Sequence, residues 1–305
     1  MSRVLVTGAT GFIGRALVPA LVTAGYDVRA AVRDLPAPFT PAVEVVTHGD
    51  LGADVAWPPL MADMDFVIHL AGIAHSGPGV AEANYDRVNH LATAGLAEAA
   101  RAAGIKRLIF VSTIRAQTGA RSDRVLTEAD DPRPTDPYGR SKLAAEIALA
   151  RSGADFTVLR PVLVYGPGVK GNLRTLLRIA ALPIPLPFGA FTQRRSLLGV
   201  QNLVAAITYV LGHAASGGKT YVVADPHPVS LADIVAALRL GLGKAPRLLA
   251  VPPALIRPCL TVLGRGQIWD QLNGQMVVDP RKLIAEGWQP AADTAAGLAA
   301  MARAS

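Results

Sequence analysis

Tyr138 and Lys142 stand four residues apart in PTDPYGRSKLAAE (Pro134–Glu146), a stretch that reads as a turn followed by a helix. Spacing of i and i+4 sets a phenol and an ammonium on one helical face. A free tyrosine ionises near pH ~10, so it works as a base at neutral pH only where positive charge stabilises its phenolate. Lys142 supplies one such charge, and an oxidised nicotinamide would supply another. Thr113, at the carboxyl end of a strand-like run, can hydrogen-bond a substrate oxygen while Tyr138 moves a proton and a dinucleotide takes or gives hydride. Taken alone, the pair also suits a solvated amphipathic helix. The chemistry requires a cofactor to face.

Such a site is offered near the N-terminus. TGATGFIG (Thr7–Gly14) places Gly8, Gly11 and Gly14 between a β-branched run and a helical one, with Thr10, Phe12 and Ile13 between them. A tight turn, close backbone approach to a pyrophosphate and helix N-terminal amides are what that position demands. The run DVRAAV ends at Val32, where an acid would bond the ribose hydroxyls of NAD, and Arg33 follows, where a guanidinium accommodates the extra phosphate of NADP. NADP is therefore favoured, with Asp34 keeping NAD open.

Short β-branched runs alternate with alanine-rich segments of helical period: Val4–Gly8, Asp27–Val32, Val43–Asp50, Phe66–Gly72, Arg107–Thr113, Phe156–Gly166 and Thr220–Asp225. This order predicts an α/β fold, a Rossmann-type doubly wound parallel sheet that binds ligands at the carboxyl ends of its strands. The expected division is a dinucleotide-binding domain over 1–165, joined by a returning segment around 192–225. A smaller, mainly substrate-binding region over 166–305 completes it.

With 305 residues, 51% of them apolar, the chain can bury a large core. Its one cysteine, Cys259, excludes an intramolecular disulfide and a cysteine-built zinc site, and no metal site is expected. MSRVLVTGATG lacks the pattern of a signal peptide, so a cytoplasmic setting is expected. Leu248–Gly264 is the most membrane-like stretch, but Pro252, Pro253, Arg257 and Pro258 interrupt it, and packing is the reading taken. The net charge of +7 is scattered, without nucleic-acid-binding motifs; it suits small anionic ligands.

These motifs together resemble the extended short-chain dehydrogenase/reductase family, the NAD-dependent epimerases and dehydratases. The matching segments run in order: TGATGFIG, GDL (Gly49–Leu51), LAG (Leu70–Gly72), ST (Ser112–Thr113), YGRSK (Tyr138–Lys142), RPVLVYGPG (Arg160–Gly168) and EGWQP (Glu286–Pro290). The resemblance implies that Asp50 and Leu51 contact adenine, that Leu70, Ala71 and Gly72 line the ribose and nicotinamide side, and that Pro161 and Val164 lie near the nicotinamide. It implies Thr113, Tyr138 and Lys142 as catalytic residues, with Asn89 supporting the lysine through a water. Dehydratases carry Asp-Glu after the threonine; Ile114 and Arg115 stand here, which argues against 4,6-dehydration. Arg115 or Gln117 is expected to reshape the sugar pocket.

On the substrate side the resemblance implies Asn172 and Arg195 as diphosphate contacts, and adjacent arginines Arg194 and Arg195 suit phosphate oxygens. The expected function is a nucleotide-sugar epimerase or 4-ketoreductase moving hydride at a sugar carbon, C4 of a UDP-sugar being preferred. The branch resembled is that of UDP-glucose 4-epimerase-like proteins and UDP-sugar 4-ketoreductases, and a homodimer is the expected assembly. Two alternatives stand beside it: a non-catalytic dinucleotide-binding subunit or sensor, and a reductase of a non-sugar ketone such as a steroid or flavonoid.

Overall fold

The computed structural model describes residues 1–35, 39–74, 80–255, 258 and 274–305. Cys259 and most of Leu248–Gly264 beyond Leu255 lie outside the described residues; of the rest of that stretch, Leu248 packs on a core cluster while Leu249 and Leu255 are exposed. Among the described residues no helix is long and apolar enough to cross a membrane.

The β-branched runs become strands, and the alanine-rich segments between them become helices. In order, these are β1 (Arg3–Thr7), α1 (Gly14–Thr23), β2 (Asp27–Val32), β3 (Val43–Thr47), α2 (Trp57–Met61), β4 (Phe66–His69) and α3 (Glu82–Tyr85). A π-helical turn over Asp86–Leu91 joins α3 to α4 (Ala92–Ala102), where the sequence predicts one unbroken helix. Then follow β5 (Arg107–Val111), a short 3₁₀ turn (Ile114–Ala116), α5 (Pro137–Ser152), β6 (Phe156–Pro161), β7 (Leu163–Tyr165) and α6 (Gly171–Ala180). The chain ends with β8 (Arg194–Arg195), β9 (Leu197–Gly199), α7 (Val200–Gly212), β10 (Lys219–Val223), β11 (Val229–Ser230), α8 (Leu231–Gly241), α9 (Arg281–Ala285) and α10 (Thr294–Arg303).

Seven strands form one sheet in the order β10-β6-β5-β4-β1-β2-β3, and β1 to β6 pair in parallel. The order reverses beside β1, so the glycine loop leaves the sheet at its topological switch point. Residues alternate across the strands. Leu5, Val67, Leu108, Phe110 and Val158 join a core with Trp57, Leu96, Ala97, Ala145 and Leu149 of the helices. Val4 and Val6, also without exposure, point to the opposite face, and α1 packs on β1 and β2 with Leu17, Val18 and Leu21 buried.

The segment Phe156–Gly166, expected as a single strand, is two. Pro161 has no N–H to extend the ladder, and the chain leaves the large sheet there; β7 instead pairs with β9. The same point divides two compact units. The first comprises Met1–Gly119, Glu128–Pro161 and Val204–Val222, the second Ala120–Thr127, Val162–Leu203 and Val223–Ser305. In the second unit, Tyr165, Leu176, Phe191, Val235, Leu238, Leu298 and Met301 share a core. Beside it, the Tyr165 hydroxyl donates to Asp225 at 2.8 Å, and burial pushes the Asp225 carboxyl above its usual range.

Arg107 fastens the returning segment of the first unit. Buried at the start of β5, it donates to the carbonyls of Val210, His213 and Ala214, to the Ser216 hydroxyl at 2.8 Å and to Asp155. Arg107→Ala leaves several of these buried acceptors without a donor, at about 1–3 kcal/mol each. The expected loss is roughly 3 kcal/mol or more, read as a lower urea midpoint with unchanged slope.

Candidate active site

The helix that carries Tyr138 starts where its sequence dictates. Asp136 caps it, its carboxylate accepting from the Gly139 amide at 2.8 Å, Pro137 occupies the first turn, and Gly153 ends it in the left-handed region. Arg115 donates to the same Asp136 carboxylate, through Nε at 3.1 Å and through its terminal nitrogen. The turn carrying Arg115 therefore lies tight against the helix. A Cβ at residue 139 would collide with the Arg115 carbonyl oxygen, which explains the glycine of YGRSK.

Thr113, Tyr138 and Lys142 converge. The hydroxyls of Tyr138 and Thr113 are hydrogen-bonded, and the Tyr138 ring lies 6.2 Å from that of buried Tyr85. The Lys142 ammonium donates to the Val111 carbonyl at 2.9 Å and sits 3.9 Å from the centre of the Phe110 ring, a cation–π contact. The electrostatics run against the simple expectation of a lowered tyrosine pKa. Burial pushes Tyr138 up to about 12, outweighing the Thr113 hydrogen bond and the nearby Arg115 charge. Burial likewise brings Lys142 down to about 7, with the Glu146 charge opposing. Both shifts favour the uncharged forms of the two groups.

Beneath the lysine lies a polar cluster that sequence reasoning missed. Glu146, one turn after Lys142, forms a 2.6 Å ion pair with Arg160 of β6, and each side chain is only 7% exposed. Ser112 donates to Glu146 at 2.5 Å, and Arg160 also donates to the Gln117 side chain at 3.0 Å. A further Glu at i+4 from the lysine and an Arg within a strand run were the available signals. Arg115 holds Asp136, and Gln117 holds Arg160.

Asn89 is buried in the π-turn. Its amide accepts from the Ile73 N–H at 2.8 Å and donates to the Ile73 carbonyl and the Ser141 hydroxyl, both at 3.0 Å. It thus reaches the neighbour of Lys142 directly. Opening an α-helix by one residue frees a carbonyl and re-aims side chains, and such turns recur at functional sites.

The glycine loop fits a dinucleotide. Gly8 has φ of +69°, and a Cβ there would come within 2.7 Å of the Ala71 nitrogen, so the backbone closes over a surface that only glycine leaves open. The Gly11 N–H donates to the Gly8 carbonyl at 2.9 Å, and Gly14 opens α1. Thr10, Phe12 and Ile13 are partly exposed along this loop, and Leu70, Ala71 and Gly72 follow β4 next to it. Asp50 is exposed and accepts from the Gly52 amide, while Leu51 is buried. Arg33 and Asp34 are exposed just beyond β2, and both act electrostatically on His48, whose pKa burial lowers.

Pro161 closes the first unit, while Val164, Asn172 and Arg195 belong to the second. Val164 lies in β7 opposite Leu198, and Asn172 is exposed in the first turn of α6. Arg195 pairs with Val229 across β8 and β11 and donates to the Gly274 carbonyl at 3.0 Å; burial lowers its pKa. Arg194 is exposed and donates to the Pro228 carbonyl.

Residues 4–224 match the model of the NAD dependent epimerase/dehydratase family. Among characterised relatives, a UDP-glucose 4-epimerase of Vibrio cholerae is 35% identical, over 94% of this chain and 90% of that protein. A ceramide reductase of Caulobacter vibrioides is 31% identical, over 94% and 86%. Among solved structures, MoeE5 in complex with UDP-glucose and NAD is 29% identical, with a TM-score of 0.74 over 99% of this chain and 97% of that one. The chain belongs to the NAD-dependent epimerase/dehydratase family and thus to the extended short-chain dehydrogenase/reductases.

Two measurements follow from this geometry. Arg160→Met strands the Glu146 carboxylate and should cost about 3–5 kcal/mol in urea unfolding, most of it recovered when Glu146→Leu is added. Lys142 takes up its proton near pH 7 in the fold but near 10.5 when unfolded. Between these values the unfolded chain holds more protons, so this contribution to stability is complete above pH 10.5 and is lost as pH falls through 7. Lys142→Met should therefore flatten the rise of unfolding free energy between pH 7 and 10.

Proposed function

We propose that this family member is a nucleotide-sugar epimerase or 4-ketoreductase that moves hydride at C4 of a UDP-sugar, with Tyr138 as acid and base. The observation that carries the reading is the hydrogen-bonded pair of Thr113 and Tyr138 hydroxyls at a strand end, with Lys142 one helical turn behind. Gly8, Gly11 and Gly14 would hold the pyrophosphate of the dinucleotide, against the amides that open α1. Bound there, the nicotinamide supplies or accepts the hydride.

Thr113 orients the substrate oxygen by hydrogen bonding, and Tyr138 exchanges a proton with that oxygen. A buried lysine that titrates near neutrality moves its charge with little cost, so Lys142 can support the phenolate as it forms. Asn89 and Ser141 hold the first turn of α5 in place. Arg195 and Asn172 would contact the diphosphate of the sugar nucleotide, giving the second unit its part in substrate binding. Arg33 supports use of NADP, whereas Asp34 and the NAD held by MoeE5 support NAD.

An epimerase oxidises C4, lets the keto sugar turn, and returns the hydride to the other face; a ketoreductase delivers it once. The nature of the nucleotide released on denaturing the purified protein separates them: tightly held NAD favours the epimerase, whereas an empty site that takes up NADPH favours the reductase. A reductase of a non-sugar ketone is the second reading, supported by the similarity to a ceramide reductase. Arg195→Leu should weaken UDP binding in calorimetry, and unchanged binding would favour that second reading.

Tyr138→Phe keeps the ring and removes the proton. Turnover should fall by roughly 10²–10⁴-fold, as expected for loss of a general acid and base. Dinucleotide affinity, measured by calorimetry, should stay within about threefold of wild type, because the change leaves the glycine loop intact.

A further inference from the structure

His69, the last residue of β4, is fully buried and belongs to none of the groups assigned above. Its Nδ1 lies 2.7 Å from the Thr7 hydroxyl and its Nε2 3.1 Å from the Thr93 hydroxyl. The Phe110 ring stacks on it at 5.8 Å, and Trp57 meets it edge-on at 6.4 Å. Every proton in this line can be assigned. The Thr93 hydroxyl donates to the Asn89 carbonyl at 2.6 Å, so its oxygen can only accept from His69, and Nε2 carries the hydrogen. Nδ1 is then the acceptor, and Thr7 donates to it while accepting from the Ala71 amide at 3.4 Å.

The line continues on the far side of Asn89. Its side chain donates to Ser141, and Ser141 donates to the Tyr138 carbonyl at 2.8 Å. Two runs of hydrogen bonds joined through Asn89 therefore link Thr7, which immediately precedes Gly8, to the backbone of Tyr138. Asn89 joins the two halves, offering its backbone carbonyl to Thr93 and its side-chain amide to Ser141.

We propose that His69 is a positioning residue: as a neutral Nε2–H tautomer it ties the foot of the glycine loop to the π-turn, and through Asn89 and Ser141 it sets the backbone of Tyr138. The proposal rests on the reading of Tyr138 as acid and base. Neutrality follows from the surroundings: burial brings the His69 pKa down to about 3, helped by the charges of Lys142 and His48. A charged ring would carry a hydrogen on Nδ1 as well and would force Thr7 to turn its own proton away.

The test uses the full-length protein. Nitrogen NMR of ¹⁵N-histidine-labelled protein should show one ring that keeps its hydrogen on Nε2 from pH 5 to 9, its signals disappearing in His69→Gln. His69→Leu should lower kcat roughly a hundredfold, the scale of a misplaced reacting group, while the calorimetric Kd for dinucleotide moves less than about threefold. His69→Gln, which retains a donor for Thr93, should recover most of kcat. A His69 ring that titrates between pH 5 and 8 or carries its hydrogen on Nδ1 overturns the proposal, as does a His69→Leu enzyme with the kcat of wild type. Should His69→Leu fail to fold, the NMR signature and the glutamine variant still decide. A fully active Tyr138→Phe would instead remove the assignment of Tyr138, while the tautomer is read independently.

Discussion

The ion pair of Glu146 and Arg160 is the constraint on which the site depends. Taking two opposite charges out of water is costly, and the pair is tolerable only because Ser112 and Gln117 satisfy further hydrogen-bonding capacity around it. Its value lies in what it connects. Glu146 belongs to α5, Arg160 to β6, Ser112 to the residue before Thr113, and Gln117 to the loop after it. Four segments that bear or flank Thr113, Tyr138 and Lys142 are thus held by one cluster, and none can shift without disturbing a buried charge. At the other end of α5, Asp136 caps the helix and receives Arg115, so the helix is fixed at two points on either side of Lys142.

Between these anchors burial favours the uncharged forms of Tyr138 and Lys142. Tyr138 stays protonated, and Lys142 gives up much of its usual basicity, for the same reason: the pocket offers little water to stabilise charge. The carbonyl of Val111 and the face of Phe110 partly replace that water for the ammonium. Such a site responds strongly to any charge brought into it, because screening is weak there. A cationic ring placed beside the phenol would favour the phenolate far more here than on an exposed helix.

Much of this was legible in the sequence, for identifiable reasons. The β-branched runs became strands within a few residues of their predicted ends, because a sheet buried on both faces tolerates little else. The turn-then-helix reading of Pro134–Glu146 placed the start of α5, and the spacing of Tyr138 and Lys142 carried the shared face. What escaped was long-range or a departure from regular period. The ties of Arg115 and Gln117 to partners 21 and 43 residues away have no mark in the local sequence. The raised pKa of Tyr138 escaped because spacing reveals a neighbour, not the loss of solvent. The ending of β6 at Pro161 was marked by the proline but masked by the apolar run that continues past it.

The π-turn at Asp86–Leu91 bears on how this chain tolerates change. In a regular helix each residue advances the face by a fixed angle, so one additional residue rotates everything on one side relative to the other by about a quarter turn. A π-turn takes up such a residue locally, between buried Tyr85 before it and buried Leu96 after it. Substitution at an outward position such as Leu91 leaves the phase untouched. Loss of the additional residue within the turn would restore a regular helix without rotating the flanking faces, and Asn89 would lose its present aim. The additional residue therefore serves where Asn89 points rather than the burial of the helix on either side.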